Sequence, residues 1–424
     1  MNGMRRRKGA FGCERQAQGL QQATVRRDLA PKRNTGPIFL RTILVNHLLE
    51  PPARVTGITR FLFALLAALL ATTEDSYVLL TCWAESDLPP ALLHPRLKIV
   101  TRRFRKSAAL NSLAQNATVA RAMKQTGATI ELNSNPLGAW KGSWPRAIVV
   151  HDLYLETMPE AYAWRHRAVW RVLFPKVAHS AAAIIVPSGS TRQDLLDGHP
   201  ETADKIRVVP EAPAFSPDKE IGRAPIEGRY GLMVGNMSPN KNPAPVVEAL
   251  ALLAARGVEA PVLHIGGDDR GLLRAALADA GGSFVTSISG VDDAALKGAY
   301  ANAAFFINSS LHEGFCLPIV EAQSLGAPVI ASNRSALPEI AGEGALLIDP
   351  TSPIQIADAI QRVWTDDAFA QDLARRGSAN ARRFSWERTA KMLAAIFDEM
   401  DEARPDRRVF ASLKKTPAPR KAAE

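Results

Sequence analysis

A chain of 424 residues is too long for one core and suits two α/β units of ordinary size, while 46% apolar and 22% charged residues mark it as globular. The formal charge of +10 sits at the ends: residues 1–36 hold nine Lys/Arg against Glu14 and Asp28, and residues 401–424 hold seven against four acids. The stretch 37–400 is therefore neutral, which argues against nucleic acid as a partner, and the longest apolar run, Phe61 to Ala71, is far short of the ~20 residues of a membrane helix.

In chain order, residues 1–36 lack any sustained apolar period and are expected to be a disordered basic tail. The segment Phe39 to Leu49 reads as a buried strand ended by Pro51-Pro52, and Thr56-Gly57-Ile58-Thr59-Arg60 leads into a helix running to about Thr72. Tyr77–Trp83, Leu97–Val100, Ile148–Val150 and Ala183–Val186 are β-rich runs. Between the last two, Pro159 to Ala182 is helical in period, with Trp164 and Trp170 as core candidates. Four prolines and two glycines in 210–228 mark a linker. A second series follows, with strands at Gly231–Val234, Val262–Gly266, Ala304–Asn308 and Pro328–Ala331 and a helix from about Pro243 to Arg256. Such alternation predicts two parallel-sheet domains, 37–212 and 229–400 with a 213–228 linker, facing one cleft, and a second disordered basic tail at 401–424.

The richest segment is Glu313-Gly-Phe-Cys-Leu-Pro-Ile-Val-Glu321-Ala, between a strand ending near Asn308 and a helix with Pro318 in its first turn. Amides from Gly314 through Leu317 at that helix start suit an anion, and Gly314 lets backbone approach a ligand closely. Glu321, placed in the first helical turn, could accept hydrogen bonds from vicinal ribose hydroxyls, although a lone Glu there would simply complement the helix N-terminus. Asp268-Asp269 and Asp292-Asp293 have no histidine beside them and read as loop acids.

The run Glu313 to Pro350 resembles the donor-binding core of glycosyltransferase family 4, the retaining GT-B enzymes. The resemblance extends to Val234-Gly235-Asn-Met-Ser-Pro-Asn-Lys241-Asn, His151-Asp152, Thr56–Arg60, Ile185-Val-Pro-Ser188-x-x-Thr191-x-x-Asp194-Leu195 and Phe384-Ser-Trp386, covering nearly all of 39–400. It implies a GT-B fold of two Rossmann-like domains, the second binding a nucleotide sugar and the first a glycan or lipid-linked acceptor. His151, Lys241 and Glu313 would be the catalytic residues. Lys241 would contact the diphosphate, Glu321 the ribose, and Glu313 the donor sugar with the Phe315 and Cys316 amides. His151 would reach the same sugar, while Gly57, Gly235, Gly314 and Leu317 would line the donor site. Ser188 and Asp194 are expected to shape a strand-to-helix turn.

The chain departs from the family pattern at Asn236 and Asn240, leaving Arg60 or Arg334 to supply a second phosphate cation. It departs again at Cys316, in place of a common Gly, and at Glu211-Ala212, in place of Asn-Gly. Metal-dependent transferases use an Asp-x-Asp site, and none occurs in the chain, so neither a metal nor any other cofactor is expected.

Together these readings predict a metal-independent hexosyltransferase, with mannose as a candidate sugar, acting in cell-surface polysaccharide synthesis. The alternatives are a GT-B nucleotide-sugar epimerase or hydrolase, or a non-catalytic nucleotide-sugar-binding protein. Cys13, Cys82 and Cys316 form no disulfide framework and no apolar leader follows the basic start, which suits a cytoplasmic protein. Arg102, Arg103, Arg105, Lys106, Arg121 and Lys124 lie in a stretch without acids and could touch an anionic membrane peripherally.

Overall fold

The structure, a computed structural model, describes residues 41–50, 56–103, 108–214 and 220–403, which fall within one compact unit beginning at Leu40. The basic stretches 1–36 and 404–424, Pro51-Pro52, Arg105 and Lys106 lie outside the described residues.

The first sheet has seven parallel strands: β1 (Thr42–His47), β2 (Ser76–Thr81), β3 (Leu97–Thr101), β4 (Ile130–Asn133), β5 (Arg146–Val149), β6 (Ala183–Val186) and β7 (Ile206–Val208). Their order is β3-β2-β1-β4-β5-β6-β7. The second sheet has six: β8 (Gly231–Val234), β9 (Val262–Ile265), β10 (Val285–Ile288), β11 (Phe305–Asn308), β12 (Val329–Ser332) and β13 (Ala345–Ile348). It runs β10-β9-β8-β11-β12-β13, again parallel. Each sheet reverses direction of growth beside its first strand, the place where doubly wound sheets open a ligand crevice at their carboxyl ends.

Helices cross between the strands. In the first half these are α1 (Gly57–Thr72), α2 (Ala108–Thr126), α3 (Tyr154–Thr157), α4 (Trp164–Ser180) and α5 (Gly189–Gly198). The second half holds α6 (Ala244–Ala255), α7 (Leu272–Ala280), α8 (Asp293–Ala301), α9 (Leu317–Ser324), α10 (Leu337–Ala341), α11 (Pro353–Thr365), α12 (Asp367–Ala381) and α13 (Trp386–Glu402). Thr56 begins α1, its hydroxyl accepting from the Thr59 amide at 3.1 Å, and Ser188 does the same for α5 through the Thr191 amide. Helix α1 buries Phe61, Leu62, Leu65, Leu66, Leu69 and Leu70, an i, i+3, i+4 stripe facing the sheet.

Three features differ from the sequence expectation. Trp170 is buried and stacks on Phe174 at 4.4 Å, but Trp164 is 66% exposed at the start of α4, with Arg165 over its ring. Strand β4 (Ile-Glu-Leu-Asn) has no apolar run because Glu131 and Asn133 are buried on it. The Glu131 carboxylate instead accepts from Arg146 at 2.8 Å and the Trp144 indole at 2.6 Å, and Asn133 from the Asn46 amide at 2.8 Å. Helix α13 continues to Glu402 and returns to the first half, where Ala390, Leu393, Ile396, Phe397 and Met400 join the core of α1 and β1. Trp386 and Thr389 fasten its start to the carbonyls of Pro213 and Pro210.

Candidate active site

The site is built at the carboxyl ends of β5, β8 and β11. Gly235 follows β8 with φ 127°, a conformation that favours glycine, and its backbone turns the chain toward Lys241. Lys241 Nζ lies 2.6 Å from Glu313 Oε1. The same carboxylate accepts from Ser310 Oγ at 2.6 Å and, through Oε2, from the Tyr154 hydroxyl at 2.8 Å. Burial alone would raise the Glu313 pKa, but the Lys241 ammonium and these two hydroxyls hold it below the usual carboxylate value. Burial would likewise lower Lys241, and the Glu313 charge leaves it above its ordinary value. Both are therefore charged at neutral pH.

Tyr154 comes from α3 in the first half, so Glu313 is held from both halves of the fold. Its hydroxyl also receives a bond from Asn240 Nδ2 at 3.1 Å, which gives that departure from the family pattern a role in holding the two halves together. Gly314 makes the closest backbone approach: a Cβ there would fall 1.7 Å from the His151 carbonyl oxygen. Thr191 Oγ1 donates to the Gly314 carbonyl at 3.1 Å. Asp194 does more than shape its turn, since His312 Nε2 lies 3.0 Å from its carboxylate.

The strand-to-helix turn after Gly314 presents the amides of Gly314, Phe315, Cys316 and Leu317, which have no backbone acceptor among the described residues. Cys316 stands immediately before α9 in the left-handed region (φ 77°), where glycine is the low-energy residue. Its side chain is thus not neutral for the backbone; Asn308 Nδ2 meets its sulfur at 3.3 Å, and burial pushes the thiol pKa well up.

Glu321 lies in the second turn of α9 rather than the first, with its Oε2 accepting from Tyr300 at 2.9 Å. Burial raises its pKa, an effect that Tyr300, Arg60 and the Ala214 backbone only partly offset.

On the first-half side, His151 follows β5, its Nδ1 3.0 Å from Glu211 Oε1, and Phe61 meets its ring edge-on at 4.8 Å. Burial lowers its pKa, but Glu211, and after it Asp152, bring it above 6.5. Neighbouring His47, bonded to Ser134 Oγ at 2.9 Å, is pushed by burial down to about 3 and stays neutral. Gly57 opens α1 with free space beside it. Arg60 and Arg334, the two alternative cations, pair with Asp293 at 2.9 Å and Asp349 at 3.3 Å.

The structure thus gathers Lys241, Glu313 and the 314–317 turn around one centre, which His151 meets through its backbone carbonyl at Gly314 while its ring is held by Glu211 and Phe61. Glu321 sits one helical turn further along α9 with Arg60 within electrostatic reach. Tyr154, Ser310, Tyr300 and Glu211 were not singled out from sequence. Only the Glu211-Ala212 departure from the family pattern pointed at any of them.

Residues 55–212 match the family model described as Glycosyltransferase Family 4, and residues 216–384 the one described as Glycosyl transferases group 1. The O-antigen chain mannosyltransferase B of Escherichia coli is 30% identical over 253 residues, 56% of this chain and 66% of that protein. The chain spans about three-fifths of the length of the curated relatives it matches. Sucrose-phosphate synthase from Thermosynechococcus elongatus superposes with a TM-score of 0.67 at 19% identity, over 86% of this chain and 100% of that one. Anabaena Alr3699/HepE, solved in complex with UDP-glucose, gives 0.65 at 15% identity, over 85% and 100%. These likenesses show the GT-B fold, two parallel αβα sheets. With that fold, and with the two family models together matching most of its length, the chain belongs to glycosyltransferase family 4.

Proposed function

We propose that the protein transfers a hexosyl group, with mannosyl favoured by the E. coli relative, from a nucleoside diphosphate sugar to a glycan or lipid-linked acceptor in surface polysaccharide synthesis. The observation that carries this reading is the Lys241–Glu313 pair, 2.6 Å apart beside unpaired amides at a helix start and in contact with the first half through Tyr154.

The donor diphosphate takes the place of Glu313 on Lys241 and on the amides of 314–317, where the α9 dipole adds to the attraction. Freed from the lysine, Glu313 turns to hydroxyls of the donor sugar. Glu321, held by Tyr300 and the Ala214 backbone, accepts from the ribose, and its burial strengthens that bond. As the sugar–phosphate bond lengthens, Lys241 and the amides hold the negative charge gathering on the leaving diphosphate. His151, held by Glu211 and with its pKa raised by that carboxylate, faces the sugar from the first half and orients it. The acceptor enters on that side, and transfer proceeds with retention at the anomeric carbon. All of the charge stabilisation comes from side chains and amides, so turnover survives EDTA.

Incubation with UDP-, GDP- and dTDP-hexoses, following the nucleoside diphosphate released, tests the reading. Release that rises several-fold on adding a cell-envelope glycan fraction supports transfer. Release at the same rate without any acceptor identifies a hydrolase, and interconversion of the free donor sugar identifies an epimerase.

A further inference from the structure

A second cavity, of about 540 Å³, opens in the first half at the carboxyl ends of β1, β2 and β3. Leu48 and Cys82 form its floor; Arg102 and Arg103 rise from the end of β3, and Thr118 and Arg121 descend from α2. No Asp or Glu lines it among the described residues. Arg103 and Arg121 are exposed and have no carboxylate partner among the described residues, while Arg102 uses one N–H on its own neighbour, the Thr101 carbonyl at 2.9 Å. Three guanidinium groups around one concavity repel one another, and in a body that is neutral overall this concentration of positive charge has no carboxylate beside it among the described residues.

The cavity shares its sheet edge with His151. From β1 to β5 is two strand steps and from β3 to β5 four, or about 10 to 19 Å at the usual spacing. A group held by the arginines would thus stay attached to a sugar at His151 only through an intervening unit. Planar guanidinium forks match phosphate oxygens in pairs, whereas the Thr118 hydroxyl already donates to the Ala114 carbonyl and the buried Gln115 amide is held by Asn46 and Leu137, which leaves the recognition to the arginines.

Building on the transferase reading above, we infer that this cavity is a phosphate subsite for the acceptor: the acceptor carries a phosphate group, held by Arg102, Arg103 and Arg121, at a distance from the hydroxyl that receives the sugar. The phosphate belongs either to a lipid carrier headgroup or to a soluble phosphorylated glycan.

The test uses the full chain first saturated with UDP or GDP, so that phosphate cannot compete for Lys241. Inorganic phosphate, mannose 6-phosphate and mannose are then titrated by calorimetry against the protein and against the R103Q/R121Q and R103K/R121K double variants. The inference expects phosphate and mannose 6-phosphate to bind and mannose not to, with affinity about tenfold or more weaker in the glutamine variant and largely kept in the lysine one. The melting temperature without ligand stays the same in all three, because both arginines are exposed. Pelleting with phosphatidylcholine vesicles containing one-fifth phosphatidic acid separates the sources: arginine-dependent pelleting assigns a lipid headgroup, and its absence alongside mannose 6-phosphate binding assigns a soluble glycan. No second phosphate binding, or binding unchanged in R103Q/R121Q, overturns the subsite. Absence of any response to nucleotide fails the transferase reading instead, so the two failures are distinct.

Discussion

Lys241 and Glu313 keep one another charged in a buried place, and the cost of separating them sets what substitutions do. Lys241→Ala leaves a buried carboxylate with only the Ser310 and Tyr154 hydroxyls, and is expected to cost about 3–5 kcal/mol of stability as well as about 10²–10³ in turnover. Adding Glu313→Gln removes the orphaned charge: urea unfolding then recovers most of the stability while turnover stays low. Recovery of turnover in the double variant would contradict the phosphate role of Lys241. The His151–Glu211 pair makes a pH prediction. Its histidine is held above 6.5 in the folded protein, so the pair's contribution is complete below about pH 6.5 and is lost as pH rises through the raised folded value. The denaturation midpoint of Glu211→Gln should lack that decline, and the alkaline limb of its activity profile should move to lower pH.

At the scale of elements, the loop after β11 is constrained by what it touches. With a Cβ 1.7 Å from the His151 carbonyl, Gly314→Ala forces the two halves apart where Gly314 meets the end of β5. We expect turnover to fall by about two orders of magnitude with each half still folded, seen as unchanged far-ultraviolet circular dichroism. Helix α13 carries a different load, since Phe397 is fully buried in the first-half core although it follows the whole second sheet in sequence. Phe397→Ala should cost about 3–5 kcal/mol and lower the unfolding midpoint of the chain as one transition.

This is also the scale at which the sequence was most readable. Four-residue apolar runs located β6 and β8 at their observed bounds, and the glycine–proline punctuation around Glu313 located the loop and α9. Strand β4 was hidden because its buried Glu131 and Asn133 imitate a surface pattern, and their partners Arg146 and Asn46 lie 15 and 87 residues away. Tyr154 and Glu211 were hidden for the same reason: a hydroxyl 159 residues from its carboxylate, and a carboxylate 60 residues from its histidine, leave no local period. Gly314 and Cys316 were found, but the left-handed φ that makes cysteine an unusual choice at 316 belongs to the folded backbone.

For the whole molecule, the halves meet in buried bonds around Tyr154 and Gly314 and in an outer set of contacts that are exposed and individually weak. Arg60 meets Asp293, Arg270 donates to the Ala161 carbonyl at 3.0 Å, and the Glu339 carboxylate accepts from the Gly189 and Ser190 amides. Exposed pairs of this kind contribute about 0–1 kcal/mol each. A ligand that binds both halves can therefore shift their separation with a modest part of its binding energy. In the function proposed above, one donor site, made by Lys241, Glu313, the 314–317 amides and Glu321, binds a nucleoside diphosphate without a metal. The most direct measurement is thermal stabilisation by UDP, GDP, dTDP and their hexose conjugates in EDTA, for the protein and for Glu321→Ala. The expected result is a rise of several degrees with one base, retained in EDTA and lost in Glu321→Ala. A rise that needs added metal, or one that Glu321→Ala leaves intact, would contradict it.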